Sequence, residues 1–289
     1  MKVAVVGATG LVGTRMLQVL EERNFPVTEL IPVASEKSVG RKVTFKGKEW
    51  TVVSAADAIA MKPALALFSA GGATSGELAP QFAAAGCRVV DNSAYWRMDP
   101  TKKLVVPEIN PEDAFKHQGV ISNPNCSTII TLVAVNAINK LSKISAMVAS
   151  TYQATSGAGA NGPIELANQV KALEAGNPVE VNTFQYQIAY NLIPQIGDFL
   201  DTGYTTEEMK MQNEGRKIMH LPELKVNCTC VRVPVVRSHS ISVTVVTEDY
   251  LDIETVKNAI ANEKGCRLVD DPANRVYPMP LDTSDQDIV

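Results

Sequence analysis

The chain contains no C-x-x-C pair, and its three histidines, His117, His220 and His239, form no zinc-type spacing with its five cysteines. No metal site is therefore expected. Cys87, Cys126, Cys228, Cys230 and Cys266 are odd in number and show no disulfide-framework spacing. With a start, MKVAVVGATG, that reads as strand and glycine loop rather than signal peptide, they fit a reducing cytoplasm. No apolar run approaches the length of a membrane span. A net charge of −4 leaves no electrostatic footprint for nucleic acid. Internal repeats and low-complexity segments are missing as well. What remains is an ordinary soluble composition, 45% hydrophobic and 20% charged, in 289 residues, enough for two domains each with its own core.

The first of these begins with an apolar β-branched run, Val3 to Val6, that ends in Gly7-Ala8-Thr9-Gly10-Leu11-Val12-Gly13. Met16, Leu17, Val19 and Leu20 then mark a helical stripe over Thr14 to Arg23. Strand, glycine loop and helix in that order are the context a dinucleotide-binding fingerprint requires, here in the variant spacing G-x-x-G-x-x-G. Gly7 permits the turn, Gly10 the approach of a pyrophosphate, and Gly13 close packing of helix on strand. The second strand, Glu29 to Ala34, ends without the acid that holds an NAD ribose. Ser35, Lys37, Ser38 and, further on, Arg41 suit a 2′-phosphate, so NADP is expected. A solvated polar loop that includes Glu36 is the plainer alternative.

Lys42 to Val53 alternates like a hairpin turning at Lys46-Gly47-Lys48. Leu65 to Phe68 is a buried strand ending at Ser69-Ala70-Gly71-Gly72, and Glu77 to Ala85 a helix. Arg88 to Val90, Val105 to Val106 and Val120 to Ile121 are further short strands. This alternation predicts a Rossmann-like parallel sheet over 1–121. From 122 to 289 the pattern changes. Three long alternating runs, Ser145–Thr151, Lys225–Val233 and Ser240–Thr247, suit a sheet covered on one face. Helices are expected at Pro163–Gly176, Glu207–Ile218 and Asp252–Asn262, making an appended α+β domain.

At the join stands Ser122-Asn123-Pro124-Asn125-Cys126-Ser127-Thr128, followed by an apolar segment from Ile129 to Leu141. Pro124 disfavours helix for the residue before it, and Asn125 is a good N-cap. Cys126 then falls in the first helical turn, where unpaired N–H groups and the helix dipole favour a thiolate and could hold an oxyanion. A buried cysteine that only packs is the alternative reading.

G-A-T-G-L-V-G at 7–13, S-A-G-G at 69–72, S-N-P-N-C-S-T at 122–128, Q-A-T-S-G-A-G at 153–159, E-E-M-K at 207–210 and C-V-R-V-P-V-V-R-S-H-S at 230–240 occur in that order. Together they resemble the bacterial aspartate-β-semialdehyde dehydrogenase family, over the whole chain. The resemblance implies NADP-dependent reductive dephosphorylation of aspartyl-β-phosphate to aspartate-β-semialdehyde, on the route to lysine, methionine and threonine. It makes Cys126 the nucleophile beside Asn125, His239 the acid/base, and Gln153 the residue that orients the substrate or intermediate. Arg232 would hold the α-carboxylate, Glu207 the α-amino group, and Arg97 with Lys210 the phosphate. The cofactor would be held by Gly7, Thr9, Gly10, Leu11, Val12, Gly13, Ser35, Lys37, Ser38, Ser69, Gly71 and Gly72, and by Ser156 and Gly157 of the later loop. A homodimer through the second domain is implied.

In the family the chain continues past Val289 with a further strand, an asparagine near the nicotinamide amide, and a helix closing on the nucleotide domain. That helix is therefore expected to be missing here. Taken singly, the residues keep plainer readings: Arg232 as an outward ladder charge, His239 as a satisfied surface histidine, Glu207 and Lys210 as an i,i+3 pair, and Trp96 as packing. Two other functions stay open at this point. One is N-acetyl-γ-glutamyl-phosphate reductase, whose acetylated substrate has no free α-amino group for Glu207 to meet. The other is a non-catalytic nucleotide-binding homologue.

Overall fold

The computed structural model describes residues 1–284, 286, 288 and 289; Asp285 and Asp287, within the expected second domain, lie outside the described residues. The chain divides into two compact units, Met1–Pro124 and Asn125–Val289. The division falls three residues after the expected join at 121/122.

The first unit is built on a six-stranded sheet. β1 (Lys2–Val6), β2 (Glu29–Val33), β5 (Leu65–Phe68), β6 (Arg88–Asp91), β7 (Lys103–Leu104) and β8 (Val120–Ser122) run parallel in the order β2-β1-β5-β6-β8-β7. A hairpin of β3 (Lys42–Phe45) and β4 (Lys48–Thr51) stands apart from it. Both faces of β1 are buried, as the unbroken apolar run requires of a central parallel strand. Val3 and Val5 pack with Leu17, Leu20 and Phe45, and Ala4 and Val6 with Ile31, Phe68 and Phe82. α1 (Leu11–Glu22), α2 (Ala55–Ala60) and α3 (Gly72–Ala84) follow β1, β4 and β5 in the chain.

Three boundaries differ from expectation. α1 starts at Leu11 rather than Thr14, because Gly10 caps it and its carbonyl takes both N–H and Oγ1 of Thr14 at 2.9 Å. α3 starts at Gly72 rather than Glu77. Gly71 turns the chain at φ 84°, and burial of Ser75, Ala79 and Phe82 outweighs the poor helix propensity of the Gly and Ser turn and of Pro80. The strand expected at Val105–Val106 lies at Lys103–Leu104. Asn110 ends it by accepting from Val106 N–H at 2.8 Å and donating to Leu104 O at 2.9 Å.

The second unit has a three-stranded sheet in the order β10-β9-β11. β9 (Ile144–Gln153) pairs parallel with β10 (Lys225–Arg232) and antiparallel with β11 (Ser240–Thr247). α4 (Cys126–Asn139) packs on β9 and β11, and α6 (Thr206–Ile218) on β10. Met147, Ala149, Thr151 and Gln153 of β9 are buried on that side, while Val148 and Tyr152 point the other way and are exposed. α5 (Asn161–Glu174) and α7 (Ile253–Asn262) complete the unit.

Candidate active site

In the first unit the glycine loop is shaped by exclusion. A Cβ on Gly7, whose φ is 92°, would lie 2.3 Å from Ser69 O, and one on Gly13 would lie 2.1 Å from Gly7 O. Neither distance is tolerable, so only glycine keeps β1, α1 and the β5 turn this close. Thr9, Gly10, Leu11 and Val12 are exposed in the same turn, although two of them are large and apolar. A cavity of about 510 Å³ opens beside it, lined by Ala8, Thr9, Thr14, Arg41 and Lys42 among others. Ser35 begins a short turn over Glu36–Ser38, in which Ser35 and Lys37 are exposed and Ser38 half-buried. These groups fit a dinucleotide: a glycine-bearing cradle at a helix start, and hydroxyls and cations beyond the tip of β2. Arg97, in the loop after β6, is buried and donates from Nε to Ser93 O at 3.1 Å and from Nη2 to Asn92 O at 3.0 Å.

The second unit brings most of the expected chemical residues together. Cys126 is the first residue of α4 and is exposed between buried neighbours, Asn125 and Ser127. Asn125 caps the helix by accepting from Thr128 N–H at 3.2 Å. Its Nδ2 donates to Glu207 Oε1 at 2.9 Å, and Gln153 Nε2 donates to the same oxygen at 3.2 Å. Lys210 Nζ takes Glu207 Oε2 at 2.7 Å. The i,i+3 pair is therefore real, and it is one arm of a larger network. Burial opposes ionisation of Glu207, but the Lys210 charge and the bonds from Lys210, Asn125 and Gln153 outweigh it and hold the carboxyl below its usual range.

The end of β9 positions the remaining pair. Arg232 Nη1 donates to Ala154 O at 2.7 Å, and Ala154 N–H donates to His239 Nδ1 at 2.9 Å. One backbone residue thus orients guanidinium and imidazole. Arg232 is buried with its Cζ 6.0 Å from the centre of the Phe184 ring, so it is not an outward ladder charge. Because Nδ1 accepts, the neutral ring carries its proton on Nε2. Burial first, then the Arg232 charge, push His239 down from 6.5 to about 4, against the pull of Glu207. The ring is neutral at physiological pH. Gly157 closes this corner: a Cβ there would fall 2.7 Å from Arg232 Nη1 and 3.1 Å from His239 Cε1. Ser156, beside it, is half-buried.

Two participants were not expected from the sequence. Ala154 acts only through its backbone, which leaves no mark in the sequence. Glu214 accepts from Asn125 N–H at 2.7 Å. Its signal was an acid at helical spacing with Glu207, Met211 and Ile218, a stripe whose four members are all buried. Among the described residues no cluster of metal-ligating side chains occurs, and no helix is long and apolar enough to cross a membrane.

A parallel sheet with a glycine cradle, followed by a unit that groups an exposed helix-start cysteine with a carboxylate, a guanidinium and an imidazole, defines a dinucleotide-dependent dehydrogenase. Residues 2–117 match the family described as semialdehyde dehydrogenase, NAD binding domain, and residues 135–289 the family described as semialdehyde dehydrogenase, dimerisation domain. The chain belongs to the aspartate-semialdehyde dehydrogenase family. It is 50% identical to the Aquifex aeolicus aspartate-semialdehyde dehydrogenase, over all of this chain and 86% of that one. It is 47% identical to the Bacillus subtilis enzyme of the same name, over 97% of this chain and 83% of that one. The crystal structure of aspartate semialdehyde dehydrogenase II from Vibrio cholerae complexed with ASA superposes with a TM-score of 0.94 at 44% identity, covering 99% of this chain and 84% of that one. Neither the acetylglutamyl-phosphate reductase nor the non-catalytic reading is favoured by these likenesses.

Proposed function

We propose that the chain catalyses NADP-dependent reductive dephosphorylation of L-aspartyl-β-phosphate to L-aspartate-β-semialdehyde, a step toward lysine, methionine and threonine, through a thioester on Cys126. The observation that carries this reading is the exposed Cys126 at the start of α4, in the same unit as Arg232, Glu207 and His239. The helix start favours the thiolate. Its sulfur attacks the acyl-phosphate carbonyl, the C–O bond to phosphate breaks, and inorganic phosphate leaves. NADP in its reduced form, held at the glycine loop, would supply the hydride that reduces the thioester to a thiohemiacetal. The C–S bond then breaks, giving aldehyde and the Cys126 thiolate.

The chain's own groups position the substrate and meet its developing charge. His239, neutral with its proton on Nε2 and held by its Nδ1 bond from Ala154 N–H, is suited to donate a hydrogen bond to an oxygen that gains charge, while proton transfer by this residue is what the family resemblance implies. Arg232, oriented by Ala154 O and the Phe184 ring, is suited to a substrate carboxylate. Glu207 takes the α-amino group, sharing Oε2 with Lys210, whose ammonium draws the phosphate; for Arg97, in the first unit, the same role rests on the family resemblance alone. Gln153, fixed by Thr151 Oγ1 at 3.0 Å and by Glu207, orients the acyl group. NADP is read from the acid-free tip of β2, with residues 1–121 as its domain and 122–289 as the catalytic and dimerisation domain.

The outward face of the second sheet supports a homodimer. Ala146, Val148, Ser150 and Tyr152 of β9 lie there beside Ser242, Thr244 and Val246 of β11, a flat small or apolar surface that suits a second copy. The test is phosphate-dependent reduction of NADP by aspartate semialdehyde, run beside Cys126→Ala. That variant loses turnover and keeps NADP affinity. Turnover surviving in it removes the thioester route.

A further inference from the structure

Of the three buried acids of α6, Glu207, Glu208 and Glu214, the first and last lie two helical turns apart on one face. Both end on the same residue. Glu207 Oε1 accepts from the Asn125 side chain, and Glu214 Oε2 accepts from the Asn125 backbone N–H at 2.7 Å. The third attachment is the cap itself, Asn125 Oδ1 to Thr128 N–H. The residue before Cys126 is thus held at its backbone nitrogen and at both ends of its amide, with φ −63° and ψ 144°. Pro124, directly before it, has a fixed φ. Few torsions are left by which the start of α4 could swing.

We propose that Glu214 is a positioning residue for Cys126. Its carboxylate fixes the torsions of Asn125, and with them the direction in which the thiol leaves the helix. The inference rests on the nucleophile reading of Cys126. A negative charge behind the helix start does nothing to favour a thiolate in front of it, so the acid's use to Cys126 lies in geometry. A charge-assisted bond to a buried backbone N–H is short and directional, and Glu214 is only 2% exposed, so water does not compete for it. Misplacing a reacting atom by about 1 Å can cost about 100-fold in rate.

The experiment compares Glu214→Ala and Glu214→Gln, measuring kcat, KM for semialdehyde and for phosphate, and the rate at which iodoacetamide alkylates each cysteine. Glu214→Ala is expected to lower kcat by about 10- to 100-fold while both KM values stay within about threefold. Cys126 should be alkylated at least as fast as in the parent, since an opposing charge is gone, with Cys228 and Cys230 still slow. Glu214→Gln, whose amide oxygen can accept the same N–H, should recover most of kcat. An unchanged kcat in Glu214→Ala overturns the proposal. So does a Glu214→Gln enzyme as impaired as Glu214→Ala, or a loss accompanied by fast alkylation of the buried thiols, which marks general loosening. If Glu214→Ala does not fold, Glu214→Asp takes its place, with the charge kept but one methylene too short. Parent-like kcat in Glu214→Asp is equally fatal. Cys126→Ala in the same assay tests the nucleophile reading separately: turnover there sinks that reading whatever Glu214 does.

Discussion

α1 starts from Gly10, a residue with no side chain, whose extended backbone at φ −84° and ψ 167° is followed by exposed Leu11 and Val12. α4 starts from Asn125, whose side chain caps the helix and whose amide and backbone are gripped by two buried carboxylates. Both are helix N-termini with the same dipole and the same unpaired N–H groups. They are finished in opposite ways. At the proposed cofactor cradle no side chain caps the helix, and glycine stands at 7 and 13, where a Cβ would collide with the backbone. Where the proposed reacting group is the chain's own Cys126, the start is clamped, which suits an attack angle that must survive thermal motion. A helix N-terminus is thus a general electrostatic resource, and the surrounding side chains decide whether it binds or reacts.

The sharpest way to break this contrast acts on the clamped side. Arg232→Lys keeps the charge but loses the planar fork that Ala154 O orients. It should cost about 1.5–3 kcal/mol of transition-state binding, one to two powers of ten in kcat/KM for semialdehyde, with NADP affinity intact. Wild-type kinetics in this variant would return Arg232 to a structural role. On the open side, Gly13→Ala forces a Cβ to within 2.1 Å of Gly7 O. Overpacking of this kind costs about 1–3 kcal/mol of stability. NADP titration and thermal melting should both register it, while Cys126 alkylation stays near the parent rate. A variant that binds NADP normally would mean the cradle is looser than its geometry.

A pH profile tests the charge balance at the clamped site. With His239 held near 4, kcat/KM should stay flat as pH falls through 6.5 and drop only near 4, as imidazolium forms and opposes the Ala154 N–H. Removing the neighbouring positive charge raises a histidine pKa, so the residual activity of Arg232→Ala should show this limb moved toward neutral pH. An acid limb at 6.5 in the parent would mean that the ring is solvated. The smallest effect is expected at exposed Ser35. Ser35→Asp should weaken NADP relative to NAD by about 0.2–1 kcal/mol, since the repulsion acts through solvent. Equal affinities before and after would place the 2′-phosphate away from this turn.

Much of this was legible in the sequence, for identifiable reasons. The apolar run of β1, the glycine loop and the Pro124-Asn125 cap are local instructions: burial on both faces, positive φ and cap chemistry act within a few residues and leave compositional marks. The three alternating runs of the second unit marked its sheet in the same way. Element starts were less legible at Leu11 and Gly72, where glycine turns and packing overrode propensity. Only the tertiary structure decided what each polar side chain touches. Glu207 and Lys210 read equally well as a surface pair or a site until Asn125 and Gln153 met them from 82 and 54 residues away. Ala154 contributes through its backbone, and no side chain announces that role. Glu214 matters because α6 packs its buried face under the start of α4. Such bonds are long-range, and their partners are chosen by how helices and strands pack. The sequence marked the candidate groups, and the fold supplied their partners.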